Sequence, residues 1–204
     1  MNNRGDTRDS EWLMYNNLAY PIDGRDLPGF KQWVKWNGFS LKHNGYDFAA
    51  YLTNDGKIIF GLPEKTPVRA MSDGDISYLV QTSNFGDYHG GIQVIHAGSA
   101  LGPTSWYHHM VPRQDILEFK RVKVKKGEVI GSLYKDRGHE EGKLVHLHFM
   151  LASDALGTYF TNPATMFKSL EDIVADPQGD PDFRVIGLGY QPEIVIANFR
   201  KVQV

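Results

Sequence analysis

VHLHF, residues 145–149, sets His146 and His148 on either side of Leu147. Successive side chains of a β-strand alternate faces, so both imidazoles point one way while Leu147 and Phe149 point to the core. Upstream, HNGYDFAA (43–50) holds His43 and Asp47 around Gly45. The freedom of that glycine lets a loop or bent strand end bring the two together. Two histidines and one carboxylate, with a fourth position left to water, form the ligand set of a catalytic zinc site. The two stretches supply four such residues for three places. One histidine of the strand pair is therefore left over, and an unligated histidine beside a metal is a candidate to handle protons.

The rest of the composition narrows the chemistry. The 204 residues contain no cysteine, which excludes thiolate zinc sites, disulfides and cysteine nucleophiles, so a metal must use histidine and carboxylate. Lys+Arg 22 against Asp+Glu 24 gives a net charge of -2, with no global basic field to recruit nucleic acid or an anionic membrane. No apolar run is long enough for a membrane span. MNNRGDTRDSEW (1–12) is too polar for a secretory signal. The chain therefore stays inside the cell or begins after a removed leader, and nothing in it specifies an oligomeric state.

Three units are expected: an N-terminal wrapping segment (1–39), a β domain (40–160) and a C-terminal helix with β extension (161–204). The aromatic lead-in from Trp12 to Phe39, broken by Pro21, Asp23-Gly24 and Pro28-Gly29, reads as irregular structure. Asp55-Gly56 between YLT and KIIF marks a hairpin turn, and TPVRA, DISYLVQ, GIQVIHA and TSWYHHM read as short strands. Many short strands with turn signals at this pace predict a mainly antiparallel sandwich or barrel-like β domain. Asn162-Pro163 opens an amphipathic helix through Met166, Phe167, Leu170, Ile173 and Val174, and FRVIGLGY and EIVIANFRKV supply two late strands. The run KRVKVKK (120–126) reads as a half-exposed strand with a solvated basic face.

HNGYDFAA, TPVRAMSDGDI (66–76), IQVIHAG (92–98), WYHHM (106–110), VKKGEVIGS (124–132) and VHLHFML (145–151) stand in an order and spacing that resembles the lysostaphin/LytM-type zinc endopeptidases. The resemblance covers roughly residues 40 to 152. It implies an antiparallel fold of the duplicated-hybrid-motif kind, one zinc ion per chain, and hydrolysis of peptide bonds in the stems or cross-bridges of peptidoglycan, hence a cell-envelope setting. Carried over by position, it makes His43, Asp47 and His148 the metal ligands and His109 and His146 the catalytic histidines. His108, next to His109 on a strand, is expected to face the opposite side. His96 is expected to serve packing or the substrate groove, and His89 and His139 to lie exposed in loops. An extra hairpin, YLTNDGKIIFGLPEK (51–65), the charged loop KDRGHEEGKL (135–144) and Val145 in place of a usual proline depart from the family pattern. These loops rim the groove, so they bear on the substrate and leave the zinc chemistry alone. The hairpin and the lead-in are expected beside the metal groove.

No HExxH helix is present, so the base must be an imidazole, whose ordinary pKa of about 6.5 suits proton work at neutral pH. Two other readings compete. One is a LytM-like regulatory or binding module that keeps the fold without the chemistry, although such proteins lose ligands and here all five positions are filled. The other is a two-histidine, one-carboxylate iron oxygenase, whose usual motif places the carboxylate two residues after the histidine, where this chain has four.

Overall fold

In the computed structural model the second half of VHLHF, from Leu147, opens the organising strand of a seven-stranded sheet, and His146 stands just before it. The structure describes residues 18–36, 39–40, 43–80, 91–96, 102–118, 123–134, 144–157, 159–163 and 167, with the backbone of 173–174, 193–194 and 200–201. Its strands, in chain order, are β1 (Phe30–Val34), β2 (Tyr46–Phe48), β3 (Ala50–Thr53), β4 (Ile58–Phe60), β5 (Pro67–Arg69), β6 (Gly74–Val80), β7 (Gly91–Ile95) and β8 (Thr104–His108). They continue as β9 (Met110–Pro112), β10 (Lys123–Val124), β11 (Val129–Leu133), β12 (Leu147–Ala152), β13 (Phe160–Thr161), β14 (Ile173–Val174), β15 (Glu193–Ile194) and β16 (Arg200–Lys201). A short helix, α1 (Gln114–Leu117), follows β9.

The main sheet runs β10-β6-β7-β8-β12-β13, and β2 pairs with the first half of the β12 edge that β13 completes. All pairings among the described residues are antiparallel, and no sheet closes into a barrel, in accord with the mainly β expectation. A three-stranded sheet, β5-β11-β9, and a second sheet, β1-β3-β4-β15, flank it. Leu147, Phe149 and Leu151 are fully buried on one face of β12, with Tyr46, Phe48, Tyr107 and Ile92 in the same core cluster. Burying side chains of this size stabilises by roughly 1.5–3 kcal/mol each, enough to hold the register of β12 against its neighbours.

The lead-in departs from its irregular expectation. Residues 30–34 pair with β3, and Ile22, Leu27 and Trp33 belong to the main core. Phe30 packs edge-on against Trp33, whose ring meets Phe48 the same way, so burial of the aromatics draws this stretch into a strand. The Asp55-Gly56 turn joins β3 to β4, with Gly56 at φ +83°. At the other end, the Phe167 N–H donates to the Pro163 carbonyl, and Phe167 packs on Tyr20 and Phe149. Ile173 and Val174, expected on that helix, instead pair as β14 with β16, because the ladder satisfies their backbone groups. EIVIANFRKV contributes β15 and β16, while FRVIGLGY, Met166, Leu170, Trp12, His89 and His139 lie outside the described residues. Among the described residues, no helix is long and apolar enough to cross a membrane.

Candidate metal centre

Register places the site. Antiparallel pairing sets Asp47 opposite His148, His148 opposite His108, and His108 opposite Gly91, so one row crosses β2, β12, β8 and β7 on the face away from the core. Asp47 reaches that face because Tyr46 and Phe48, its neighbours on β2, are buried on the other. His43 is held by Ser40, with which it exchanges backbone hydrogen bonds.

Gly45 is needed for a reason different from the expected one. It is not among the positive-φ glycines, yet a β-carbon there would lie 2.6 Å from the Phe149 carbonyl oxygen and 2.8 Å from His148 Cε1. Close approach to β12, not backbone freedom, requires glycine.

Three ligand atoms converge. His148 Nδ1 lies 2.9 Å from Asp47 Oδ1 and 3.0 Å from His43 Nε2, and His43 Nε2 lies 3.3 Å from Asp47 Oδ1. Ligand atoms about 2.0–2.1 Å from a tetrahedral zinc stand roughly 3.3–3.4 Å apart, so this triangle is close in size to one face of such a tetrahedron. The donor set, two imidazoles and a carboxylate, fits zinc. Burial alone would raise the Asp47 carboxyl, but the His148 hydrogen bond and the nearby His146, His148 and His43 rings outweigh it and hold the pKa below the ordinary value. Asp47 is therefore an anion at neutral pH, as a ligand must be.

His146 stands outside the triangle, with Nε2 3.9 Å from Asp47 Oδ1. Its Nδ1 lies 2.8 Å from the Leu144 carbonyl, which can only accept, so Nδ1 carries the proton and Nε2 is the basic nitrogen of the neutral ring. Leu144 packs with the cluster of Val34, Ala50, Leu52, Ile58 and Phe60, and the Leu62 N–H donates to Val145. The extra hairpin thus packs on the residue whose carbonyl orients His146.

His109 sits 4.6 Å, ring centre to ring centre, from His146 and 6.3 Å from His148. Burial, then the neighbouring His146, His148 and His108 rings, push its pKa down to about 3, so it is neutral at pH 7. Its φ is +63°, a left-handed conformation between β8 and β9. That single residue breaks the strand alternation. His108, expected to turn away, has its ring 5.9 Å from His148 and stacks on Trp106 at 6.0 Å, on the same side as the triangle.

His96 is not at this site. Its Nδ1 meets the Asp73 carbonyl at 2.8 Å and its Nε2 the Ser105 hydroxyl at 2.7 Å, a packing role that agrees with one of the two expected. Burial pushes its pKa down to about 4, despite the opposing pull of Asp73.

The family model of peptidase family M23 matches residues 42–158, more than half of the chain, and that span contains the triangle and both flanking histidines. The chain belongs to peptidase family M23. Among solved structures, this M23 chain is similar to the antimicrobial peptidase lysostaphin from Staphylococcus simulans, with 24% identity over 70% of this chain and 50% of that one, at a TM-score of 0.45. The catalytic domain of the same peptidase gives 21% identity over 72% of this chain and 99% of that one, TM-score 0.45. A variant of the catalytic domain of the prophage-encoded M23 protein EnpA from Enterococcus faecalis gives 19% identity over 69% and 96%, TM-score 0.44. The chain thus spans half the length of the longer lysostaphin chain. No curated protein matches it.

Proposed function

We propose that this M23 chain is a zinc-dependent endopeptidase that hydrolyses peptide bonds in peptidoglycan stem or cross-bridge peptides. The convergence of His43 Nε2, Asp47 Oδ1 and His148 Nδ1 within 2.9–3.3 Å of one another carries the reading. Those three atoms would hold one zinc ion. Bound there, zinc supplies Lewis-acid chemistry, polarising the scissile carbonyl and lowering the pKa of water toward about 7.

The remaining steps fall to the two flanking imidazoles. His146, with its proton fixed on Nδ1 by Leu144, presents Nε2 to take a proton from the attacking water and to return it to the leaving amine. His109, too weak a base with its pKa near 3, serves as a neutral N–H donor toward the oxyanion of the tetrahedral intermediate.

The test is zinc analysis of the purified chain with turnover on peptidoglycan and on glycine-rich peptides. About one zinc per chain is expected, together with hydrolysis that a chelator abolishes and zinc restores, while the β fold persists. A chain that holds no zinc sinks the reading. Bound zinc without hydrolysis of any of these substrates would favour a binding module instead.

A further inference from the structure

His108 is held on three sides. Across the ladder on one side it faces His148, with the rings edge to face at 88° and 5.9 Å. Two residues back on its own strand Trp106 stacks on it at 29°. Across the ladder on the other side stands Gly91, where a β-carbon would come within 3.6 Å of Cδ2 and Cγ of the His108 ring. The same β-carbon would lie 3.1 Å from the Tyr107 carbonyl oxygen. Position 91 thus lies at van der Waals range of the imidazole, on the flank opposite His148.

The ring so seated abuts a residue whose orientation matters. His148 must keep Nδ1 turned toward Asp47 and His43 for the triangle to exist. Its ring is braced by His43 at 4.7 Å, by the Gly45 backbone under Cε1, and by His108. Edge-to-face contact at this separation favours one ring orientation over others, and side chains outside a metal's own ligands that fix ligand orientation tune its affinity.

We propose that His108 is a positioning residue for the metal centre: seated against Gly91 and Trp106, it braces the His148 ring in the orientation that aims Nδ1 at the site. It acts through the shape of its ring, not as a ligand or proton carrier. The inference rests on the zinc reading above.

The experiment measures the zinc dissociation constant by competition with a chelator and the melting temperature of the metal-free protein, for the wild type, His108→Ala and His108→Phe. His108→Ala should bind zinc on the order of tenfold more weakly, with the metal-free melting temperature little changed. His108→Phe keeps the flat ring and should return affinity to within about twofold of the wild type, because edge-to-face packing needs no nitrogen. Unchanged affinity in His108→Ala overturns the proposal, as does a drop in metal-free stability with no change in affinity. A His108→Phe variant as weak as His108→Ala overturns it too, since a nitrogen would then be required. If His108→Ala does not fold, His108→Leu against His108→Phe makes the same comparison of a flexible side chain with a ring. A wild-type chain without zinc sinks the parent reading, whereas normal wild-type zinc with indifferent variants sinks this inference alone.

Discussion

His148 and His96 are both enclosed by the main sheet, and their ring nitrogens are satisfied in opposite ways. Each nitrogen of His96 has a partner of its own, a carbonyl on one side and a hydroxyl on the other. His148 instead brings one nitrogen, Nδ1, up against a carboxylate oxygen and a second imidazole nitrogen at once. Three atoms that carry lone pairs meet there, and a single proton cannot serve every pair among them. Such crowding is costly unless a cation sits among the atoms, whereas the arrangement around His96 is complete as it stands. A satisfied histidine belongs to the fold, and a crowded one is where a metal ion could be held.

The largest effect that separates the two settings is expected at Asp47. Asp47→Ala removes the anion from the triangle and should abolish both zinc binding and turnover; a variant that keeps full zinc occupancy in elemental analysis would break the contrast. Next comes His146→Ala, which should keep near-stoichiometric zinc yet lose roughly 10²- to 10⁴-fold in kcat, the usual worth of a general acid–base group. Loss of zinc in that variant would move His146 into the ligand set.

For His96 the readout is stability. Its folded pKa of about 4 lies below the ordinary value of about 6.5, so the unfolded chain takes up a proton that the folded one refuses. Stability from this group is therefore full above pH 6.5 and is lost as pH falls through 6.5 to 4, by up to about 3 kcal/mol. Denaturant unfolding across that window should show the slope in the wild type and a shallower one in His96→Gln; equal slopes would show that the enclosure of His96 has no energetic weight. The smallest effect is expected far from both histidines. Gly56→Ala in the β3–β4 turn meets nothing within 4 Å but must adopt φ +83°, and should cost about 1 kcal/mol with zinc binding unaltered. Altered zinc affinity there would mean that the added hairpin is coupled to the site more tightly than through Leu144.

The alternation of VHLHF and the spacing of His43 and Asp47 made the strand and four candidate residues legible, because period-two patterning and residue chemistry are local properties; that His148 and not His146 joins His43 and Asp47 came from the family resemblance alone. The side on which His108 lies was not legible. One left-handed residue, His109, returns the chain to the same face, and histidine carries no local mark that it will adopt φ +63°. Gly45 was recognised as special on the wrong ground, since what crowds it is a ring and a carbonyl from β12, about a hundred residues away in the chain. β1 was missed because Pro28-Gly29 suggested a loop, while its strand state depends on β3 and on aromatics that meet only in the folded core.

The contacts of His148 with Asp47 and His43 span 101 and 105 residues of chain. Contacts of such high order form late, since most of the intervening chain must be arranged before they repay loop closure. At synthesis rates of about 5–20 residues per second, Asp47 leaves the ribosome roughly 5–20 s ahead of its partner. Throughout that interval the nascent chain holds half a centre. On the proposed zinc reading, metal uptake becomes a clock for refolding, since the three ligand atoms meet only once β2 has docked on β12.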